Sequence, residues 1–228
     1  MAATSARPYH VVPAASFYLT VSRTRVKICG ITREEDLKAA ATAGADALGF
    51  VFYPRSPRFL DLRRAADLVR LVPPFVSRVG LFVNSDAAVI ANTLNAVPLD
   101  LLQFQGDEEP AFCEQFGRPY IKVARMRPEL NLLEFARAYP SARGLLLDAY
   151  VESYGGAGQV FDWSLVPVRL PLPVVLAGGL AADNVGAAIR QIRPWAVDVS
   201  SGVELSKGIK DAAKIAAFMA AVKNADDR

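Results

Sequence analysis

The chain has 228 residues, of which 52% are apolar and 21% are charged. It can therefore bury one large core, and disorder of the whole chain is excluded. The net charge is +3, but residues 1–24 contain Arg7 and Arg23 and no acid, so only +1 belongs to the remainder. The single histidine, His10, lies in the same N-terminal residues. From Arg25 onward the sequence excludes Ser-His and Cys-His catalytic machinery and any histidine-ligated metal site.

Residues 1–24 form an N-terminal extension that we expect to be disordered, ahead of a single domain over residues 25–228. The extension is rich in Ala, Ser and Thr, which is also the composition of an organelle transit peptide, and both interpretations stay open. No stretch reaches the roughly 18 apolar residues of a membrane span. The two cysteines, Cys29 and Cys113, are too few for a disulfide framework. They favour a reducing compartment, and we expect a cytoplasmic protein.

Eight short apolar runs follow one another along this domain. Each is rich in leucine or β-branched residues and is bounded by Gly, Pro, Asn or Asp, which is typical of buried parallel strands. The predicted strands are Arg25–Cys29, Ala47–Phe52, Arg78–Val83, Leu99–Gln103, Tyr120–Ala124, Gly144–Asp148, Pro173–Ala177 and Ala196–Val199.

Amphipathic segments separate these runs and predict helices. Three of them begin at a potential capping residue, namely Thr32, Ser85 or Asp183. The stretch 149–172 lacks a periodic pattern, and we expect a long loop there with a short helix near Asp162. The predicted helices include Arg33–Ala43, Asp61–Leu71, Ser85–Leu94 and Asp183–Ile192.

Eight strands with intervening helices in about 204 residues predict an α/β protein with a single (β/α)8 TIM barrel. The alternative, an open doubly wound sheet, carries a Gly-rich phosphate turn after its first strand. Here the first strand runs into Cys29-Gly30-Ile31-Thr32. The Gly-rich turns instead follow the seventh and eighth strands, where barrels bind phosphate. The barrel is therefore the favoured fold.

The carboxyl ends of barrel strands form the active face, and the first predicted strand ends in a cysteine. Cys29 comes two residues after Lys27, so both side chains face the same side of the strand. A nearby cation favours the thiolate, which is the form that acts as a base or nucleophile. A buried free cysteine is also often only a small apolar residue. We interpret Cys113, between Phe112 and Phe116, in that second way.

The sixth predicted strand delivers a carboxylate to the same face. Asp148 follows Gly144-Leu145-Leu146-Leu147, and desolvation at the barrel mouth raises an aspartate pKa toward the range of a useful general acid. The alternative is an aspartate that caps the next turn. With Cys29 on the first strand, two proton-transfer groups would flank a small ligand.

Glycine-containing turns follow the last two predicted strands. Gly178-Gly179 precedes the helix predicted from Asp183, and Ser200-Ser201-Gly202 precedes Gly208–Asp211, the predicted start of the last helix. Glycines let backbone N–H groups approach a phosphate, and a helix N-terminus favours an anion. A single Gly-Gly pair is common in turns, but two such turns after adjacent strands predict a phosphate site.

A Pro-rich loop after the second strand carries Arg55 and Arg58. A guanidinium held there can make paired hydrogen bonds to a substrate carboxylate, and the alternative is an arginine solvated at the surface. The Gly-rich segment Tyr154–Gly158 predicts either a mobile lid over the barrel mouth or an ordinary flexible connection.

Seven motifs, in order from Arg25 almost to the C-terminus, together resemble the phosphoribosylanthranilate isomerase family, the barrel enzymes of one step in tryptophan biosynthesis. The pairing of KICGIT with VDVSSGVE is the most specific part of the resemblance. The motifs are VKICGIT (Val26–Thr32), GADALGFVFYPRSPR (Gly44–Arg58), RVGLFVN (Arg78–Asn84), LLLD (Leu145–Asp148), YGG.G..FDW (Tyr154–Trp163), LAGGL (Leu176–Leu180) and VDVSSGVE (Val197–Glu204).

The resemblance implies an Amadori rearrangement of N-(5-phosphoribosyl)anthranilate to 1-(2-carboxyphenylamino)-1-deoxyribulose 5-phosphate, with no metal or other cofactor. By family analogy Asp148 is the general acid, Cys29 is the general base, and Arg58 binds the anthranilate carboxylate. The implied phosphate turns contain Gly178, Gly179, Ser200, Ser201 and Gly202. An orienting or electrostatic role is implied for three further residues: Lys27, Gln103 and Asp198.

The chain departs from the family pattern at two places. After the fourth strand it has Gln103-Phe104-Gln105-Gly106 where family members commonly read QLHG. A histidine there is therefore not indispensable, and any ligand contact it makes elsewhere passes to Gln105 or is lost. The predicted lid reads Gly156-Ala157-Gly158-Gln159-Val160, where Thr or Ser, Lys and Thr are common. This puts polar lid contacts in doubt.

The same fold also supports functions other than this isomerisation. A phosphosugar-binding module that has lost catalysis through the altered lid and Gln105 would bind its ligand without turnover. The histidine-pathway isomerase of the same fold is disfavoured by the absence of a first-strand aspartate, and metal-dependent epimerases are disfavoured by the missing histidines. We expect a small-molecule phosphosugar as partner, no nucleic acid because the domain has no basic stripe, no membrane, and a monomer or homodimer.

Overall fold

The computed structural model describes residues 23–150 and 160–227. Its strands are β1 Arg25–Cys29, β2 Ala47–Val51, β3 Ser77–Phe82, β4 Leu101–Phe104, β5 Tyr120–Met126, β6 Leu145–Ala149, β7 Val174–Leu176, β8 Ala196–Val199, β9 Glu204–Ser206 and β10 Ile209–Lys210. Its α-helices are α1 Glu34–Thr42, α2 Leu62–Val69, α3 Ala87–Ala96, α4 Pro110–Glu114, α5 Leu132–Ala138, α6 Val185–Ile192 and α7 Ala212–Asp226.

Strands β1 to β8 are parallel, pair in chain order and close into a barrel between β8 and β1, which confirms the predicted fold. Each of the eight predicted strands is present, with ends that differ by no more than one or two residues. The closure is defined by its register, in which Lys27 is the partner of Asp198. Two side chains of opposite charge are thereby placed side by side in the barrel.

The three predicted helix caps are each displaced along the chain. Helices α1, α3 and α6 begin at Glu34, Ala87 and Val185, later than predicted, as is common for helix ends. The Thr32 hydroxyl donates instead to the carbonyl of Gly208. The N-cap positions are occupied instead by Arg33, Asp86 and Asn184, none of which makes a side-chain capping hydrogen bond.

The last helix also begins later than predicted. Ile209 and Lys210 form β10, which pairs with β9 in a short antiparallel hairpin. Helix α7 begins at Ala212, and the Asp211 carboxylate caps it by accepting from the backbone N–H of Ala213 and Lys214. Ser201–Val203 is a 3-10 turn directly after β8. The chain beyond β8 therefore makes a turn and a hairpin before the helix.

Apolar side chains fill two layers. The larger layer lies between the strands and helices, where Ile215 and Phe218 of α7 are fully buried, and each buried side chain of this size stabilises the fold by roughly 1.5–3 kcal/mol. The smaller cluster comes from alternate residues of β5 to β8 and their flanking positions: Ile121, Val123, Leu146, Val175, Ala177 and Ala196. Polar side chains lie beyond this cluster, at the carboxyl ends of the strands.

The long connection after β6 is described only from residue 160 onward. It contains a 3-10 turn at Trp163–Leu165, which Asp162 caps by accepting from the N–H of Ser164 at 2.9 Å. The short helix predicted near Asp162 is thus present. The lid proposed at Tyr154–Gly158 lies outside the described residues.

Residues 1–22 of the predicted extension likewise lie outside the described residues. Thr24, which we assigned to the extension, is buried and packs on the barrel. Its N–H and hydroxyl donate to the Asp226 carboxylate at 2.7 and 2.6 Å. Over the described part of the chain, no helix has the length and apolar character needed to cross a membrane.

Candidate active site

Cys29 lies at the carboxyl end of β1 and is buried, with 6% of its surface exposed. Its register partner on β2 is Gly49, and a methyl group on that glycine would lie 2.7 Å from Cys29 Sγ. The missing side chain therefore makes room for the thiol inside the barrel. Burial raises the pKa of the Cys29 thiol, and the anionic Asp198 adds to this while the cations Lys27 and Lys210 oppose it.

Lys27 and Asp198 form a buried ion pair beside the thiol, with Nζ 2.9 Å from Oδ1. Burial disfavours the Lys27 ammonium, but its interactions with Asp198 and with Cys29 outweigh burial, and the pKa of Lys27 is raised. The lysine therefore stays cationic. The predicted proximity of Lys27 to Cys29 is present, yet burial outweighs the lysine's effect, so the resting thiol is protonated at neutral pH.

Asp148 lies on β6 across the barrel, where burial raises its pKa to about 6. The negative charge of Asp198 acts in the same direction, whereas Lys27 and a hydrogen bond from Gln105 oppose it. Lys27 and Asp198 therefore act on the pKa of both proton-transfer candidates, Cys29 and Asp148. A carboxyl group with a pKa of about 6 is suited to donate a proton near neutral pH.

Two buried amides extend from β4 to Asp148. Gln103 Nε2 donates to Gln105 Oε1 at 2.7 Å, and Gln105 Nε2 donates to Asp148 Oδ2 at 2.9 Å. Asp148 Oδ1 accepts from the backbone N–H of Ala149 at 2.9 Å. Both carboxyl oxygens are therefore held by N–H donors. The sequence singled out Gln105 only as a departure from the family pattern and did not predict this contact.

Arg58 is buried above the barrel mouth and has a partner that the sequence did not predict. Its Nε and Nη2 donate to the two carboxylate oxygens of Glu204, both at 2.8 Å. Its side chain passes over Gly30, where an added methyl group would lie 2.4 Å from Arg58 Cδ. Gly30 follows Cys29 directly, so the guanidinium is held beside the thiol. Arg55 of the same loop is exposed.

Glu204 and Lys210 are further site residues that sequence reasoning missed. The β9–β10 hairpin brings Lys210 Nζ to 2.8 Å from Glu204 Oε1 and to 3.3 Å from the Ser200 hydroxyl. Burial opposes ionisation of Glu204, but Arg58 and Lys210 hold the pKa of this carboxyl below its usual value. The only signal in the sequence is the position of Glu204 at the end of the VDVSSGVE motif.

The two predicted phosphate turns lie against each other. Gly178 and Gly179 have φ of +80° and +62°, a conformation that favours glycine. A methyl group on Gly202 would lie 1.9 Å from the Leu180 carbonyl oxygen, so the turn after β8 packs directly on the turn after β7. Ser200 and Ser201 belong to the same turn. The backbone of both turns therefore faces one small region at the barrel mouth.

Cys113 is separate from these groups. It is fully buried on α4 behind the barrel wall, and burial raises the pKa of its thiol to about 12. The packing role predicted for it agrees with this position. Of the predicted lid residues, Val160 is described and is exposed, and Gly156, Ala157, Gly158 and Gln159 lie outside the described residues.

Comparisons with known proteins agree on one family. Residues 26–221 match the family model described as N-(5'-phosphoribosyl)anthranilate (PRA) isomerase. A relative of that name from Dechloromonas aromatica is 62% identical over 205 residues, which cover 90% of this chain and 99% of the relative.

Solved structures give the same result. The crystal structure of phosphoribosyl anthranilate isomerase from Thermotoga maritima has a TM-score of 0.82 and 41% identity, and the match covers 88% of this chain and 99% of that one. A crystal structure of the isomerase in complex with reduced 1-(o-carboxyphenylamino)-1-deoxyribulose 5-phosphate has a TM-score of 0.79 and 39% identity, with the same coverage.

Proposed function

The chain belongs to the N-(5'-phosphoribosyl)anthranilate isomerase family, and from this premise we propose that Asp148 is the general acid and Cys29 the general base of its reaction. The reaction is the Amadori isomerisation of N-(5-phosphoribosyl)anthranilate to 1-(2-carboxyphenylamino)-1-deoxyribulose 5-phosphate in tryptophan biosynthesis. The observation that carries the proposal is the placement of the two groups around one ion pair, Lys27–Asp198, which influences the pKa of both.

The first proposed step opens the ribose ring. Asp148 transfers its proton to the ring oxygen as the bond between that oxygen and C1 breaks, and the anthranilate nitrogen supplies an electron pair to form the C1=N bond of a Schiff base. The carboxyl group becomes a carboxylate. The buried site favours a protonated Asp148 more than water does, which supports this assignment.

The second proposed step removes the proton from C2. The Cys29 thiolate accepts this proton, the C–H electron pair forms a C1=C2 bond, and the electrons of the C1=N bond return to nitrogen. The resulting enolamine then loses its 2-hydroxyl proton and gains a proton at C1 to give the ketone. Lys27 supports the transient thiolate, since its ammonium interacts directly with Cys29.

We propose that Arg58 binds the anthranilate carboxylate with the edge that Glu204 does not use. A guanidinium carries five N–H groups arranged in two forks, and Glu204 engages the fork made by Nε and Nη2. The fork made by Nη1 and Nη2 is the proposed substrate contact. Glu204 and Lys210 then act as positioning residues that hold the plane of the guanidinium.

The phosphate is proposed to bind the backbone N–H groups of the turns at Gly178–Gly179 and Ser200–Gly202. This placement is supported by the close packing of Gly202 on Leu180 and by the habit of barrels to bind phosphate after the seventh and eighth strands. Every step moves only protons and electron pairs within the substrate, so we propose that no metal or redox cofactor takes part. Gln103 is proposed to orient the acid.

All of these groups come from one protomer, so the proposed chemistry is complete in a monomer and is equally compatible with a homodimer. The free thiols of Cys29 and Cys113 support our proposal of a reducing compartment such as the cytoplasm. We further propose that residues 1–22 are an extension that the barrel does not need, whereas Arg23 and Thr24 contact Asp46 and Asp226 of the barrel.

The test is turnover of freshly prepared N-(5-phosphoribosyl)anthranilate by the purified chain. Asp148→Asn and Cys29→Ala are expected to lower kcat by about 10²–10⁴-fold, the usual contribution of general acid–base catalysis. Asp86→Asn, at an exposed position before α3, and Cys113→Ala are the matched controls and should keep wild-type kcat. Near-normal turnover by Asp148→Asn would contradict the role of Asp148 as general acid, and near-normal turnover by Cys29→Ala would contradict the role of Cys29 as general base.

A further inference from the structure

The chain of two glutamine amides ends on the proposed general acid. We propose that Gln105 is a positioning residue of the isomerisation: together with Gln103 it fixes the Asp148 carboxyl group so that its proton is presented to the substrate. This inference rests on the proposed role of Asp148. It starts from the contacts Gln103 Nε2 to Gln105 Oε1 at 2.7 Å and Gln105 Nε2 to Asp148 Oδ2 at 2.9 Å.

The two amides give this chain of hydrogen bonds a direction. A side-chain amide has one donor end and one acceptor end. Because Gln103 donates to the oxygen of Gln105, the NH2 group of Gln105 is the end that faces Asp148. Gln105 therefore cannot accept the acid proton of Asp148 in this arrangement. The acid proton of Asp148 therefore does not form a hydrogen bond to Gln105.

The two carboxyl oxygens of Asp148 are held by different donors. Oδ2 accepts from Gln105 and Oδ1 accepts from the backbone N–H of Ala149, both at 2.9 Å. Two donors on two different oxygens fix the rotation of the carboxyl plane. Each oxygen keeps a second lone pair, and the acid proton must occupy one that is not facing these donors. Asp148 is partly exposed, and we infer that its acid proton lies on this exposed side.

Gln105 is itself held in place by its surroundings. It is 8% exposed, and its backbone N–H donates to the Phe82 carbonyl at 2.9 Å. Behind it, Lys122 Nζ donates to the Gly106 carbonyl at 2.6 Å and forms an ion pair with Glu108 at 2.8 Å. The turn that follows β4 is thus anchored on both sides. The amide is held in place before any substrate binds.

The end of this chain of amides that lies away from Asp148, at Gln103, carries an acceptor without a partner. Gln103 is 1% exposed, and its Oε1 has no hydrogen-bond partner among the described residues. A buried acceptor left without a donor costs free energy. This oxygen is fully buried, so the chain of amides ends inside the protein at Gln103 and not on the substrate.

Asp148 lies among charged groups, and a contact that does not titrate leaves their combined charge unchanged. Asp198 and Lys27 act on it from β8 and β1, and Arg125, its register partner on β5, stacks on the Tyr150 ring at 4.6 Å. An amide donates to Asp148 at any pH and adds no charge to this set. The Gln105 contact lowers the pKa of Asp148, against the larger effect of burial.

The experiment compares three variants with the wild type in kcat, KM and the pH profile of kcat/KM. Gln105→Met removes the amide and keeps the volume. Gln105→His restores an N–H donor that titrates near neutral pH. Gln115→Ala is the matched control, because this exposed glutamine of the same βα unit donates only to the Phe112 carbonyl. Thermal unfolding of each variant reports on folding.

For Gln105→Met we expect kcat to fall about tenfold, the usual effect of losing a hydrogen bond to an ionisable group, with KM within about twofold. The lower apparent pKa of the profile should rise, because the lost donor favoured the ionised carboxyl. Gln105→His should recover most of kcat and make the acid limb steeper. Gln115→Ala should match the wild type in every reading.

Unchanged kcat and an unchanged pH profile in Gln105→Met would overturn the inference. Equal losses in the Met and His variants with no movement of the profile would also overturn it, because that result indicates a packing role alone. Carbon-13 NMR of the Asp148 carboxyl, assigned with Asp148→Asn, tests the contact without turnover, and its pKa must rise in Gln105→Met. Should Asp148→Asn turn over normally, the proposed acid fails while this titration still decides the contact.

Discussion

Lys27 on β1 and Asp198 on β8 are register partners at the closure of the barrel, and their side chains form a buried ion pair with 2.9 Å between Nζ and Oδ1. The pair influences the pKa of Cys29 on one side and of Asp148 on the other. One ion pair therefore acts on the pKa of both groups, and a change in its charge is expected to shift both.

The first prediction is the shape of the pH profile of kcat/KM. The proposed reaction needs Asp148 protonated and Cys29 ionised, yet the pKa of Asp148 is about 6 and that of Cys29 is raised above that of an ordinary thiol. The dominant form at neutral pH has an ionised Asp148 and a protonated Cys29. The reactive form, with Asp148 protonated and Cys29 ionised, carries the same number of protons and is the minor species. We expect a plateau that falls below about pH 6, as a second proton binds, and falls again above the thiol pKa.

Asp198→Asn provides the control for this profile. Asp198 raises the pKa of both Cys29 and Asp148, so removing its charge should move both limbs to lower pH. The rate of Cys29 alkylation as a function of pH gives an independent value for the upper limb, with Cys29→Ala as the blank. Limbs that stay in place in Asp198→Asn would contradict the electrostatic link.

The second prediction concerns the proposed carboxylate contact. Arg58→Lys keeps the charge but cannot form two forks at once, so we expect KM to rise by about 10–100-fold, the range of a lost charge-assisted hydrogen bond, with a smaller change in kcat. Arg55→Lys is the matched control, since Arg55 is exposed in the same loop. Steady-state kinetics of both variants measure KM and kcat. An unchanged KM in Arg58→Lys would contradict the assignment.

The eight strands and the polar strand ends could be predicted because they depend on local pattern. Cys29 and Asp148 each end a short apolar run, and in a parallel barrel such ends meet at one face. The proximity of Cys29 to Lys27 follows from the two-residue alternation of a strand. No knowledge of distant contacts is needed for these assignments.

The contacts around Arg58 could not be predicted in this way. Glu204 is 146 residues from Arg58 along the chain, and its position depends on a hairpin of a few residues that has no periodic pattern. The thiol pKa is a second example. The neighbouring lysine was visible in the sequence, but the extent of burial that outweighs it is a property of the closed barrel.

The third prediction tests the anchor behind the β4 turn. Lys122→Met leaves Glu108 buried without its cation, because both side chains are at most 3% exposed. Loss of one partner of a buried pair costs about 3–5 kcal/mol of unfolding free energy. Urea denaturation of the variant measures this cost. Lys38→Met is the control, since its ion pair with Glu34 is largely exposed, and its denaturation midpoint should stay at the wild-type value; equal midpoints for the two variants would contradict the argument.

The fourth prediction concerns the two turns proposed to hold the phosphate. Gly202→Ala would place a methyl group 1.9 Å from the Leu180 carbonyl oxygen, so one turn must move away from the other. We expect a lower melting temperature, a KM raised by about tenfold as expected for one lost charge-assisted contact, and weaker competitive inhibition by inorganic phosphate. Calorimetry and inhibition kinetics measure these effects.

Gly186→Ala is the control for the phosphate turns. Gly186 lies within α6, and an added methyl group there would meet the flexible Arg190 side chain at 3.3 Å. Gly186 is the second residue of α6, where alanine is favoured over glycine by at most about 1 kcal/mol. This variant should be as stable as the wild type or more stable, with unchanged phosphate inhibition. If Gly202→Ala lowers the melting temperature but leaves KM and phosphate inhibition unchanged, the turns are structural and the phosphate binds elsewhere on the barrel mouth.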